Sequence, residues 1–484
     1  MNKKNIAANA VLNIIKSICR FIFPLITYPY ALRILGAENI GKVAYSASIV
    51  SYFSMLAVFG VETYGIREGA KLRENKEELQ VFANEIFTIN LLSTVVAYVL
   101  LFAVLAFVPK LNGYKYLILI QSISLVFSTL GMDWINVMFE DFLMITVRSI
   151  VIQIVTMLCL FLFVKTPGDY YVYALFSVIG NCVICFSNWF YVRKYLKVRL
   201  ILKPNIEKHF RPLLCIFFNS IAVSIYVNLD TTMLGWIKGD MAVGYYSVAG
   251  KIYSIIKDLL IAAYAVTIPR LSGLIGDKNN FAYKQLYSKV CSSLSLLLIP
   301  AGIGLICSAE EVLMLLGGEE YLCATCTLRI LSIALIFAIF GGLVTAVLNI
   351  TTGREKDNLI ATVISAAANF GLNLFFIPWL SQNGAAITTV IAEAFVFIFC
   401  LAKVKNITDY VDFRYVFKNV IDATVGSTMI VLVSILVKLL IGNWAIRLIV
   451  IVTSGVCVYF GFLVLRKNEI TIKFIKKNSF KGDV

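Results

Sequence analysis

Ionisable residues inside apolar runs are the residues of this 484-residue chain best placed to do chemistry. Each such side chain costs a few kcal/mol or more in a membrane unless it lines a cavity or finds a partner. The residues of this kind near the middle of apolar runs are four cations and three carboxylates, namely Lys16, Arg20, Lys251, Lys257, Asp230, Asp258 and Glu393. We interpret the cations as a binding site for an anionic substrate, and the carboxylates as candidates for binding a coupling proton or sodium ion.

A second group of ionisable residues lies nearer the ends of the apolar runs: Glu62, Glu85, Arg148, Arg329, Lys438 and Arg447. For these we favour snorkelling to the membrane surface or structural ion pairs. Tyr226, Tyr253 and Tyr264 lie inside apolar runs and could stack on sugar rings, although packed aromatic side chains are the simpler interpretation.

The sequence predicts no catalytic residue, no metal site and no cofactor beyond a coupling ion. His209 is the single histidine of the chain, which argues against histidine-based metal sites and proton relays. Cys323 and Cys326 form a CxxC motif, but no second pair or nearby histidine completes a zinc site. A disulfide or redox pair remains the alternative for these two cysteines.

The elements that must position these residues are membrane helices. Hydrophobic residues make up 60% of the chain and charged residues only 15%, against roughly 25% charged in a typical soluble protein. Because a span needs about 20 apolar residues, we predict an all-α protein with fourteen spans, at 6–34, 43–66, 81–107, 117–136, 142–164, 171–192, 213–237, 243–269, 287–308, 327–352, 359–380, 385–402, 419–441 and 446–465. Pro24 and Pro29 predict a bend in the first of these spans.

The positive charges divide unequally between the two sides of the predicted membrane. With the N-terminus cytoplasmic, the cytoplasmic breaks hold 28 Lys and Arg residues and the opposite breaks hold 5. This bias predicts a multi-pass protein of the cytoplasmic membrane with both termini cytoplasmic. The net charge of +15 is therefore an orientation signal that also favours anionic lipids, and we expect no nucleic-acid partner. No break exceeds about 20 residues, which leaves no room for a soluble catalytic domain.

A short motif occurs twice, 203 residues apart. Residues 36–41 and 239–244 share the pattern G-x-x-x-[IV]-G, and each lies between the first and second span of its half. Arg67 and Arg270 match at the same offset. A shift of six spans preserves orientation in the membrane, so we predict a parallel repeat of two lobes. The predicted organisation is a lobe at 1–192, a basic linker at 193–212, a lobe at 213–403, an extra helix pair at 404–466 and a basic tail at 467–484. The charges cluster at the start of each lobe, which predicts a central, partly cationic cavity.

At this point the sequence resembles the polysaccharide-export flippases of the Wzx type, within the multidrug/oligosaccharidyl-lipid/polysaccharide exporter superfamily. The stretches that carry the resemblance are residues 28–36 continuing to Gly41, Asp133-Trp134 followed by Glu140, Val164-Lys165 ahead of Asp169-Tyr170, and Ile377-Pro378 leading into residues 383–386. With the fourteen spans, the resemblance covers nearly the whole chain.

This resemblance implies two six-helix lobes in a V shape and a function. The family flips a lipid-linked oligosaccharide repeat unit, typically on undecaprenyl pyrophosphate, for O-antigen, lipopolysaccharide or capsule synthesis. A polysaccharide polymerase and a chain-length regulator are the implied protein partners. Relatives have a cationic central cavity, a role that Arg20 and Lys257 are placed to fill. The alternatives are a multidrug or cation antiporter of the same superfamily and, from another class, a membrane-embedded polysaccharide polymerase or glycosyltransferase.

Overall fold

The computed structural model describes residues 6–139, 141–277 and 279–473, without the side chains of 6–21, 142–144 and 219. The predicted sites Lys16 and Arg20 therefore lie in a described helix, but their side chains lie outside the description, as does Glu140. The chain forms two compact units, residues 1–244 and 245–484. The predicted lobe and linker boundaries stay predictions.

Helices form most of the first unit within the described ranges. They are α1 (Ile6–Val58), α2 (Val61–Lys71), α3 (Lys76–Phe107), α4 (Lys115–Gly131), α5 (Asp133–Met138), α6 (Phe142–Phe163), α7 (Tyr170–Val192) and α8 (Ile206–Ile237). Helix α1 packs against α3, α4, α6 and α8, and α4 packs against α7. The separate spans predicted at 117–136 and 142–164 are confirmed as α4 with α5 and as α6.

The second unit contains nine further helices, of which α9 starts five residues before the unit boundary. They are α9 (Asp240–Ala265), α10 (Ile268–Gly276), α11 (Asn280–Cys307), α12 (Ala309–Leu316), α13 (Thr325–Gly342), α14 (Glu355–Leu380), α15 (Gln382–Lys403), α16 (Phe413–Leu440) and α17 (Trp444–Leu465). Helix α15 packs against α13 and α14, and α11 packs against α13. The predicted extra pair is confirmed as α16 and α17, which pack against each other while α16 lies along α11.

The lengths of these helices match a membrane. Thirteen segments of the described residues are long and apolar enough to cross a bilayer. The first of them, Ile22–Lys71, has 50 residues, and α1 alone would rise about 80 Å, far more than a hydrocarbon core of about 30 Å. This first segment therefore holds two spans. The predicted all-helical fold of about fourteen spans is confirmed.

Helix α1 departs from helical geometry at Gly36, whereas the bend predicted at Pro24 and Pro29 stays a prediction. Gly36 has φ 74° and ψ 169°, whereas the helix keeps helical dihedrals at Pro24 and Pro29. The second copy of the motif behaves in the same way, because Gly239, just before α9, has φ 86°. Glycine enters this region of φ without steric cost. The first glycine of each motif thus makes the turn between two spans.

Candidate functional site

Lys257, Glu393 and Tyr253 form a polar cluster in the second unit. The Nζ of Lys257 lies 2.6 Å from Oε1 of Glu393, and the Tyr253 hydroxyl donates to the same oxygen at 3.1 Å. Lys257 Nζ also lies 3.2 Å from the Tyr253 hydroxyl. One carboxylate oxygen therefore accepts hydrogen bonds from two donors of α9.

Helices α9 and α15 position the side chains of this cluster. Tyr253 and Lys257 are four residues apart on α9, so they share a helix face, and α15 brings Glu393 to that face. The Glu393 side chain is 10% exposed, and that of Lys257 is 26% exposed. Lys257 thus pairs with a buried carboxylate while part of its own side chain stays exposed.

Three other predicted site residues, Asp258, Lys251 and Asp230, have described side chains. Asp258 follows Lys257 directly but is exposed. Lys251 is half-buried on the same helix. Asp230 is buried in α8 of the first unit, two residues before Thr232, whose hydroxyl lies 2.9 Å from that of Tyr52. The structure therefore brings together one predicted cation and one predicted carboxylate.

The three tyrosines predicted inside spans differ in their surroundings. Tyr253 takes part in the cluster, and its ring also lies 5.3 Å from the Lys257 ammonium. Tyr264 is 2% exposed and belongs to the hydrophobic core of the second unit, as the simpler interpretation requires. Tyr226 is half-buried in α8.

The second unit also contains an apolar groove. It has a volume of about 350 Å³ and is lined mainly by residues of α11, α16 and α17, together with Ile256 of α9. Its lining includes two side chains with hydroxyl groups, and both hydroxyls are already engaged: Ser308 donates to Gly304 and Tyr459 donates to Leu296. The groove therefore presents hydrocarbon to a ligand.

Most of the ionisable residues predicted near span ends form ion pairs or charged hydrogen bonds. Arg148 lies 3.4 Å from Asp133, and Arg329 lies 2.8 Å from Glu310. Lys438 and Arg447 lie 3.2 and 3.3 Å from Glu311. For these four the structural interpretation is confirmed. Glu62, by contrast, is exposed at the start of α2.

Sequence reasoning missed the role of His209. Its ring is fully buried, with Nδ1 2.9 Å from the hydroxyl of Tyr64 and Nε2 2.9 Å from Oε2 of Glu85. The histidine thus links the start of α8 to α2 and α3. The predicted end-of-span carboxylate Glu85 is explained by this contact. A lone histidine gave no spacing signal that could have named its partners.

Two further polar features of the loops lie outside the spans or at their ends. Asp141, ahead of α6, accepts from Tyr191 at 2.5 Å and also from Tyr195. Burial, followed by this hydrogen bond to Asp141, raises the pKa of Tyr195, so the phenol keeps its proton and remains a donor. Cys323 and Cys326 are exposed free thiols.

The fold and this site define a class: a polytopic helical membrane protein built as known flippases and multidrug transporters are. A solved structure of the lipid II flippase MurJ, in an inward closed conformation, superposes with a TM-score of 0.78 at 18% identity, covering 95% of this chain and 100% of that one. An inward-facing multidrug transporter of the MATE family superposes with a TM-score of 0.56 at 15% identity, covering 79% and 98%.

The sequence comparisons narrow this class to a family. Residues 4–275 match the family model described as polysaccharide biosynthesis protein, and the chain belongs to that family. A protein of Escherichia coli strain K12 whose name assigns it to O-antigen transport is 24% identical over 415 residues, which are 84% of this chain and 98% of that protein.

Proposed function

We propose that this protein is a flippase that moves an undecaprenyl-pyrophosphate-linked oligosaccharide repeat unit from the cytoplasmic to the outer leaflet of the cytoplasmic membrane. The observation that carries the proposal is the contact of a predicted cation inside a span, Lys257, with the buried carboxylate of Glu393 at 2.6 Å, in a unit that also holds an apolar groove. A polyprenyl pyrophosphate combines the same two chemistries, an anionic head and a hydrocarbon tail. The family, and the name of the Escherichia coli relative, support the same substrate class.

The first step is an exchange of anions at Lys257. In the resting cluster the ammonium is neutralised by Glu393 at 2.6 Å. A pyrophosphate approaching the exposed part of Lys257 competes with that carboxylate, and a charge that crosses hydrocarbon needs such compensation along its path. Arg20, in helix α1, is the second proposed cation, with Lys16 and Lys251 as further contributors. The tail occupies the apolar groove, or the lipid beside α16 and α17.

The second step is coupling to an ion. A proton on Glu393 removes the internal competitor for Lys257, so protonation favours substrate binding and deprotonation favours release. Glu393 is better supported in this role than Asp230 or Asp258, because it is the carboxylate in contact with the predicted cation. A sodium ion bound by one of these carboxylates is the alternative. No bond of the substrate is made or broken in this cycle of alternating access.

The orientation proposed from the charge bias places both termini in the cytoplasm, where the basic segments meet anionic lipids. The released repeat unit is then available on the outer side to a polysaccharide polymerase and its chain-length regulator.

The test is leaflet exchange in liposomes that contain the purified protein and a fluorescent undecaprenyl-pyrophosphate oligosaccharide. We expect a membrane-impermeant quencher to reach substrate that began in the inner leaflet. The double variant Arg20→Ala/Lys257→Ala should abolish this exchange at equal amounts of reconstituted protein, and in cells it should abolish surface polysaccharide even after correction for the amount of protein in the membrane. The control is Lys289→Gln, an exposed lysine of α11.

Four results would overturn the proposal or part of it. Absence of exchange by the intact protein would reject the flippase. Growth of the oligosaccharide during the assay would indicate a polymerase. Normal export by the double variant would reject the cationic site, and resistance of overexpressing cells to cationic drugs without lipid exchange would favour the antiporter.

A further inference from the structure

The first unit contains a second cavity, separate from the cluster at Lys257. It has a volume of about 340 Å³ and lies among α1, α4 and α7. The polar and aromatic side chains of its lining include Tyr28, Ser51, Gln121, Ser124, Tyr173 and Ser177. No lining residue carries a charge. A volume of this size falls at the lower end of small-molecule sites.

Three of the four serines that line this cavity, all except Ser54, already donate their hydroxyl protons. Ser51, Ser124 and Ser177 each donate their proton to the carbonyl three residues earlier in their own helix, at 2.7 Å. A hydroxyl oxygen used in this way keeps free acceptor capacity. Three serine oxygens on three different spans therefore face a ligand as acceptors.

Gln121 also carries an acceptor. Its residue is 4% exposed, and its Nε2 donates to the backbone carbonyl of Val43 at 3.1 Å. Its Oε1 has no hydrogen-bond partner among the described residues. A buried amide oxygen left without a partner is destabilising, and a ligand that donates a hydrogen bond to it removes that penalty.

These properties select one ligand chemistry. A pyrophosphate is excluded because no cation lines the cavity, and a cationic drug lacks a carboxylate counter-charge there. A bare metal ion needs oxygens at about 2.3–2.6 Å on several sides, which a cavity of about 340 Å³ does not provide. A sugar donates several hydroxyl protons without net charge and can place its ring on Tyr28 or Tyr173.

We propose that this cavity binds a neutral, hydroxyl-rich sugar residue, and that it discriminates against acidic sugars. Under the proposed function, on which this assignment to the substrate rests, the sugar belongs to the oligosaccharide that the lipid carries. A uronic acid would bring a carboxylate to a site built from acceptors, where repulsion and desolvation oppose it.

Saturation-transfer-difference NMR on the full protein in nanodiscs tests this binding without relying on transport. The probes are methyl glucoside, methyl N-acetylglucosaminide, methyl glucuronide and tetraethylammonium. We expect saturation transfer to one or both neutral glycosides and at least tenfold weaker transfer to the glucuronide and the cation. Equal transfer to the glucuronide, or preference for tetraethylammonium, would overturn the proposal.

Two variants locate the site. Ala47 is exposed and lines the cavity, so Ala47→Trp should fill it and abolish glycoside binding. Ser124→Ala removes one acceptor and should weaken binding about threefold to tenfold, as expected for one hydrogen bond. The matched control is Ser128→Ala, one turn further along α4, because Ser128 donates to Leu125 at 2.8 Å in the same way but does not line the cavity. If Ala47→Trp does not fold, Ser124→Ala and its control decide alone.

The outcomes separate this inference from the proposed function. Lipid exchange with glycoside binding unchanged in both Ala47→Trp and Ser124→Ala would reject the cavity and keep the flippase. Glycoside binding that Ala47→Trp and Ser124→Ala reduce, without any lipid exchange by the intact protein, would keep the sugar site and reject the flippase.

Discussion

The backbone of Gly41 approaches that of Gly244 so closely that a Cβ atom on Gly41 would stand 3.0 Å from the amide nitrogen of Gly244. The contact is reciprocal between the two copies of the repeated motif. A Cβ on Gly41 would collide with the carbonyl group of Asp240, and one on Gly244 would collide with that of Ala37. The last glycine of each motif therefore packs against the backbone of the other motif.

Alanine at either of these glycines should destabilise the protein. The neighbouring atoms belong to the backbone and cannot rotate away, so we expect a loss of about 1–3 kcal/mol, as for other overpacked sites. The measurement is the thermal unfolding midpoint in detergent. Gly250→Ala is the matched control on α9, because nothing lies within 4 Å of a Cβ there and alanine favours a helix. Equal midpoints for Gly41→Ala and Gly250→Ala would contradict the close approach.

The ion pair between Lys257 and Glu393 predicts that removing one charge and exchanging the two charges have different effects on stability. Lys257→Ala leaves a buried carboxylate without its cation and should lower stability by about 3–5 kcal/mol. The exchanged pair Lys257→Glu/Glu393→Lys should recover stability, since the ion pair can form again, but it should not recover leaflet exchange, because the ammonium now lies at the buried position. Recovery of transport would show that the pair is structural.

Glu393→Gln mimics the protonated carboxyl group. We expect this variant to bind undecaprenyl pyrophosphate at least as tightly as the unchanged protein, because the competitor for Lys257 has lost its charge. Net transport should no longer respond to an imposed pH gradient across the liposome. A gradient response that survives in Glu393→Gln would move the coupling role to Asp230 or Asp258.

His209→Phe should destabilise the first unit without changing its packing volume greatly. The ring still fills its site, but Tyr64 and Glu85 lose their partner, at a cost of roughly 1–3 kcal/mol for each buried group left unsatisfied. Tyr64→Phe removes one of the two contacts and should cost less. In the double variant His209→Phe/Tyr64→Phe, the loss of stability should be smaller than the sum of the two single losses, since the two residues share a contact. Unfolding in a denaturing detergent measures all three.

Glu311 and Glu310 provide a comparison within two adjacent residues of α12. The Glu311 side chain is 1% exposed and pairs with Lys438 and Arg447 of α16 and α17, whereas that of Glu310 is 44% exposed. Glu311→Gln should therefore cost about 3–5 kcal/mol, and Glu310→Gln about 0–1 kcal/mol. Similar thermal midpoints for the two variants would show that Glu311 does not hold the extra helix pair in place.

The sequence by itself determined the spans. A bilayer acts on each segment separately, through its length and apolar content. The spans predicted at 117–136 and 142–164 could therefore be told apart, although only Asp141 and its neighbours divide them. The repeated glycines were visible for a similar reason, because a turn at positive φ is a local requirement met by Gly36 and Gly239.

Only the tertiary structure decided which side chains meet. Lys257 and Glu393 are 136 residues apart, and their contact depends on how α9 and α15 rotate about their own axes. That rotation is set by the packing of many small and apolar side chains at once, and no periodic pattern of the sequence records it. The partners of His209 and the acceptor-lined cavity around Gln121 arose in the same way. Membrane spans can therefore be predicted from the sequence one segment at a time, because each segment meets the hydrocarbon by itself. A binding site in this fold forms only when several helices pack together.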